Sequence, residues 1–140
     1  MIQILKNCAY YQYLKHANEY IDYFTFRGIQ TWAKCVACHD ISHVDMAFYY
    51  KDKLYKFRCR LDGIGDLNPF CPVIYNWNGG SERGKKYLEK ILLDKIVYIE
   101  CGELDSTGHI LITIFKKKNS RKSINSHLLK EKWAKSSKKK

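Results

Sequence analysis

The alternation of apolar and polar positions is clearest between Ile29 and Arg60. "TWAKCVAC" (31–38) and "VDMAFYY" (44–50) read as strands separated by a polar stretch, and "KDK" (51–53) as a tight turn. "LYKFRCRL" (54–61) then alternates strictly, with Leu54, Lys56 and Arg58 on one side and Tyr55, Phe57 and Cys59 on the other. These three segments predict an antiparallel meander. Residues 62–80 are rich in Gly, Pro and Asn and predict a loop, closed by "NWNGG" with Ser81 as a helix N-cap. Over 82–95 the period changes to 3.6, with Tyr87, Leu88, Ile91 and Leu92 on one helical face. "KIVYIEC" (95–101) and "HILITIF" (109–115) predict two strands joined by the turn "GELDSTGH". "SINSHLLKEKWA" (123–134) predicts a closing helix capped by Ser123 or Asn125.

Ahead of the strands, Ile2, Leu5, Ala9, Tyr13, Ala17, Tyr20, Ile21 and Phe24 recur at threes and fours. This spacing predicts one or two amphipathic helices stopping at Gly28, with the tyrosines used for packing. Three units follow: a helical extension (1–28), a domain over 29–134, and a disordered basic tail (135–140). Five strands with a helix after the third and another at the end predict an α+β fold. A five-stranded Greek-key barrel of the OB type is one architecture with that order.

A chain of 140 residues is long enough to bury a core. No apolar run approaches the ~18 residues of a membrane span, and the N-terminus lacks the parts of a signal peptide. The sequence therefore predicts a soluble, intracellular protein that is neither secreted nor held in a membrane. The formal net charge of +11 is concentrated: Lys116 to Lys140 holds eleven Lys/Arg against one acid, Glu131. Such asymmetry points to an anionic partner, with nucleic acid the commonest, against the plainer reading of a solubilising tail. Six scattered cysteines without an export signal predict free thiols.

"CVACH" (35–39) has the Cys-x-x-Cys-His form of haem attachment, but Cys35 and Cys38 are an odd offset apart and would face opposite sides of a regular strand. No haem is expected on that ground. A zinc site drawn from Cys35, Cys38, His39 and His43 would need a turn where a strand is predicted.

In order along the chain, "HVDM" (43–46), "RLDGIGDLNP" (60–69), "RGKKYLEKILLDKIVYIEC" (83–101), "DSTGHIL" (105–111) and "SINSHLLKEKWA" (123–134) resemble the successive motifs of staphylococcal-nuclease-like (thermonuclease-like) domains. That family has Asp-Gly-Asp-Thr, Arg-Leu-x-Gly-Ile-Asp-x-Pro-Glu, a long helix and strand, Asp-x-Tyr-Gly-Arg-x-Leu, and a closing Val-Asn-x-x-Leu-x-x-x-Gly-x-Ala helix. The resemblance implies an OB-type barrel and calcium-dependent phosphodiester hydrolysis. Two aspartates hold the cation, a glutamate activates water, and two arginines clamp the phosphate.

Carried over residue by residue, Asp45 matches the first metal aspartate and Arg60 the first arginine. The second aspartate's place holds Gly65, with a carboxylate one residue on at Asp66. The glutamate's place holds Asn68 and the second arginine's place His109. The resemblance thus implies a nuclease-like domain with a degraded site. On this reading it is expected to bind DNA or RNA non-specifically through Arg58, Lys116, Lys117, Lys118, Arg121 and Lys122. An active calcium-dependent endonuclease using the shifted Asp66, with Asp45, as metal ligand is the alternative. A protein-interaction module is the third reading. The plain readings are a turn for Asp45, a surface ion pair for one of the two arginines, turn geometry for Gly63 and Gly65, and a hairpin position for His109.

Overall fold

A computed structural model describes residues 2–67 and 80–137, with side chains over 7–65 and 82–137. The elements in chain order are α1 (Ile2–Leu14), β1 (Gln30–Cys38), β2 (His43–Tyr50), β3 (Lys53–Leu61), β4 (Ile64–Leu67), α2 (Gly80–Leu92), β5 (Ile96–Leu104), β6 (Ile110–Phe115), α3 (Ile124–Lys130) and β7 (Ala134–Ser136). Five strands close a barrel in the order β1-β2-β3-β6-β5, with β5 returning to β1. All its pairings are antiparallel except β3 with β6. The fold is therefore α+β, built on a closed five-stranded mixed barrel.

The barrel strands match the alternating segments. Inward positions carry Ala33, Val44, Met46, Phe48, Leu61, Val97, Ile99, Ile110, Ile112 and Ile114, all buried. β2 and β3 are joined by a two-residue turn in which Lys51 (φ 50°) and Asp52 (φ 66°) both take the left-handed region. That geometry matches the twist of the strands it joins, though Asn-Gly is the pair that adopts it most easily. Leu88 and Leu92 of α2 and Ile124 and Leu128 of α3 join the same core. Phe26 closes against Tyr50 and Phe57, with ring centroids 5.2 Å from each.

Several expectations need correction. Cys35 and Cys38 do not face opposite sides. The β1–β2 register slips between Cys35 and Ala37, so Cys35 lies opposite Met46 and Cys38 opposite Val44, both inward residues. One extra residue, Val36, restores the phase and sends both thiols into the barrel, 3.7 Å apart. The stretch after β3 is not all loop, since its first part is β4. The closing helix stops at Lys130 rather than Ala134. Lys132 takes φ 62°, its N–H reaches the Leu129 carbonyl (3.1 Å), and that of Trp133 reaches the Leu128 carbonyl (2.9 Å). This is a Schellman ending built without glycine. The chain then returns as β7 and pairs with β4, so Lys135 and Ser136 belong to a strand and not to a tail.

Helix α2 begins at Gly80, which puts Ser81 inside its first turn rather than at the N-cap. The N-terminal segment holds one helix ending at Leu14, and 15–28 are turns and irregular chain. Its tyrosines are not buried: Tyr10, Tyr11, Tyr13, Tyr20 and Tyr23 are exposed, and the packing falls to Phe26 with the half-exposed Phe24 edge-on to it at 4.8 Å. No described helix is long and apolar enough to cross a membrane.

Candidate functional site

The outward-facing residues of β2 and β3 carry the site. In an antiparallel pair, residues directly opposite share a face. The register sets Asp45 against Arg58 and His43 against Arg60. The parallel pairing sets Arg60 beside Leu111 of β6, two residues past His109. Asp45, Arg60 and His109, chosen from motif order alone, therefore converge on one region of the barrel wall. Arg58 joins them. The backbone of Asp66 runs in β4, but its side chain lies outside the described residues, as does all of Asn68.

Asp45 is 5% exposed and fully engaged. Its Oδ1 accepts from Arg58 Nε at 2.5 Å, and its Oδ2 lies 2.9 Å from His39 Nε2. Burial pushes its carboxyl pKa up. The hydrogen bonds from His39 and Arg58 outweigh that and hold it below the ordinary 3.8. Arg58 is thereby committed to Asp45, whereas Arg60 forms no ion pair among the described residues.

Gly65, in the second aspartate's place, is not at a positive φ. It sits where β4 meets β7: a Cβ there would lie 3.2 Å from the Lys135 carbonyl oxygen and 3.4 Å from Ser137 Cα. Close backbone packing, not turn geometry, is what disfavours a side chain at this position. The described donor set does not fit calcium, which takes six to eight oxygens. Both oxygens of Asp45 are already bonded, and Gly65 has no side chain to offer.

A second cluster lies beside Arg60. His43 opens β2, and its Nδ1 is 3.0 Å and 3.1 Å from the two oxygens of Asp40. His109 ends the β5–β6 turn, its ring edge-on to His43 with centroids 5.4 Å apart. The turn is organised by Asp105. Its Oδ1 accepts from the Thr107 N–H (2.9 Å), the Thr107 hydroxyl (2.7 Å) and the His109 N–H (2.8 Å). Gly108 supplies the left-handed residue the turn requires, at φ +86°. Burial raises the Asp105 pKa, and these donors more than reverse it. Sequence reading assigned His109 to this region but gave Asp105 no chemistry and grouped His43 with the cysteines. The signal that could have been used is the Asp-x-x-x-His spacing across a tight turn.

The proposed zinc quartet does not assemble. Cys35 and Cys38 point into the barrel, His39 bonds Asp45, and His43 bonds Asp40. Within the thiol pair, the bond from Cys38 pulls Cys35 down and pushes Cys38 up.

Basic residues gather at a different place. Lys116, Lys117, Lys118, Arg121 and Lys122 are all exposed on the β6–α3 connection, pinned where the Lys117 N–H reaches Ser120 Oγ at 3.1 Å. A cleft of about 660 Å³ opens between this loop, α2 and α3, with Lys116, Lys122, His127 and Lys130 on its walls. Its helix pair is tied by Tyr87, stacked on Trp133 at 4.0 Å and bonded to His127 Nε2 at 2.6 Å. No protein-family model matches the chain, and no characterised protein matches it by sequence.

Proposed function

We propose that this chain is a nucleic-acid-binding barrel of the OB type, with Greek-key order and staphylococcal-nuclease-like descent, that no longer carries calcium-dependent nuclease chemistry. The barrel order with β3 parallel to β6, and α2 between β3 and β5 in the chain, supports the OB reading. The observation that carries the functional reading is the state of Asp45. The one residue matching a metal aspartate is neutralised in place by Arg58 and His39.

What remains suited to phosphates is Arg60, without an ion-pair partner among the described residues, and the exposed cations of 116–122. Outward aromatics such as Trp32, Tyr49 and Tyr55 are available for base stacking. Binding through these groups is electrostatic and sequence-tolerant, because phosphate contacts carry no base information.

The test is fluorescence anisotropy with labelled single-stranded DNA and RNA, with calcium and with chelator. Affinity should be indifferent to calcium. It should fall linearly with salt on a log–log plot, with a slope of roughly −0.7 per phosphate neutralised on these single strands. Reversing Lys116, Lys117 and Lys118 to Glu should flatten that slope. Affinity unchanged by salt, or chelator-sensitive cleavage abolished by Arg60→Ala, would overturn the reading.

A further inference from the structure

Asp105 presents an anomaly. Its side chain is only 8% exposed, and while Oδ1 accepts three hydrogen bonds, the buried Oδ2 accepts none. A buried carboxylate oxygen left without a partner forfeits its hydration with nothing in return and calls for a ligand. Oδ2 is directed toward the His109 ring, 3.6 Å from Nδ1, which is beyond hydrogen-bond length. One ring nitrogen each from His43 and His109, and a carboxylate oxygen of Asp105, lie within 4.8 Å of one another.

We propose that His43, Asp105 and His109 form a binding site for a divalent transition-metal ion of the zinc class, with Arg60 flanking its open coordination positions. Two imidazoles and one carboxylate are a donor set for zinc, iron(II) or manganese rather than for calcium. Asp40 holds Nδ1 of His43, the carboxylate–histidine pairing that fixes a ligand ring and leaves Nε2 to the metal.

Donors around a tetrahedral zinc stand about 3.4 Å apart at bond lengths near 2.1 Å, so the three groups would close by up to about 1.4 Å. His43 stays held by Asp40, so His109 makes most of that adjustment, its Nδ1 giving up the 3.1 Å contact with the Thr107 hydroxyl. An ion there gives Oδ2 its missing partner. Three protein ligands leave a position for water or a phosphate oxygen, on the side where Arg60 stands cross-strand from His43. The inference does not depend on nucleic-acid binding, because it is read by metal uptake alone.

The experiment uses the untagged full chain, equilibrated with zinc sulfate and gel-filtered before metal analysis, and titrated separately with cobalt(II). Wild type should retain stoichiometric zinc. His43→Ala and His109→Ala, each checked for folding by circular dichroism, should bind at least about 100-fold more weakly. The double variant Cys35→Ser/Cys38→Ser should retain the metal, and cobalt should give visible bands without a sulfur-to-metal charge-transfer band. No stoichiometric uptake by wild type overturns the proposal. So does uptake surviving both histidine variants. So does loss of metal, or of a charge-transfer band, on removing the cysteines.

Discussion

Asp45 shows how one side chain changes meaning with its neighbours. A carboxylate on this strand could hold a cation, but with Arg58 and His39 on its two oxygens it is a structural anion. Asp45→Asn should lower stability at neutral pH by roughly 1–2 kcal/mol, at the modest end because Arg58 is half exposed and can turn to water. The sign with pH follows from the depressed pKa. The charged form's contribution is complete above the unfolded value near 3.8 and disappears as pH falls through the lower folded value. Melting temperatures of wild type and variant should therefore converge in acid, and a gap that widens there would refute the assignment.

The thiols give a second residue-scale prediction. Burial, then the neighbouring Cys101, pushes the Cys59 pKa up, and burial pushes Cys101 up to about 11, whereas Cys8 is exposed. Since the thiolate is the reactive form, iodoacetamide near neutral pH should label Cys8 quickly and Cys59 and Cys101 only after unfolding. Peptide mass mapping reads the result, and equal labelling rates would mean that the barrel interior is accessible.

At the scale of elements, α3 is held by a polar clamp rather than by apolar burial alone. Buried Asn125 accepts from the Ile114 N–H (3.0 Å) and donates to the carbonyls of Asp62 (2.8 Å) and Ile112 (3.0 Å). It thereby joins the helix to β6 and to the turn between β3 and β4. Asn125→Ala removes three hydrogen bonds, of which the Ile112 carbonyl alone keeps a second donor, the Asp62 N–H at 2.8 Å, and should cost about 2–3 kcal/mol in urea denaturation. Ser123 caps the helix by accepting from the Ser126 N–H, so of the two residues weighed as cap, one caps and the other clamps. At the other end Lys132 bears the cost of φ 62°. Lys132→Gly should stabilise by about 1 kcal/mol in the same assay.

That lysine is also why the helix boundary was illegible. A stop signal is read from glycine, and here a residue with good helix propensity adopts the stopping conformation under tertiary constraint. The strands of the barrel were legible because their period-2 pattern and short hairpin turns are local. The bulge at Val36 was not, because one extra residue leaves no mark on composition while reversing the phase of everything after it. Strands β4 and β7 were hidden for a related reason. They have four and three residues, too short for a period, and each exists because the other pairs with it.

On the scale of the whole molecule, the same logic divides the candidate site. That Asp45, Arg60 and His109 lie on one region of the wall was reachable because each was matched to a place in one ordered set of motifs. The His43–Asp105–His109 cluster was not, because it forms only where the start of β2 meets the β5–β6 turn, 62 residues apart in the chain at His43 and Asp105. The β4–β7 pairing bears on function more than its size suggests. It lays backbone against Gly65, the position that the proposed resemblance matches to a second metal aspartate. Placing an aspartate there tests whether a calcium site of the proposed kind is one substitution away or is blocked by the arrangement of the fold. Gly65→Asp drives a Cβ to 3.2 Å from the Lys135 carbonyl and brings a carboxylate against backbone that is already paired. Either β7 shifts or the aspartate does, at roughly 1–3 kcal/mol. The variant should melt lower than wild type, and calcium should neither raise its melting temperature nor elicit cleavage of single-stranded DNA, since Asp45 stays bonded to Arg58 and His39. Gain of calcium-dependent stabilisation in Gly65→Asp would instead mean that β7 yields readily and that a calcium site lies one substitution away.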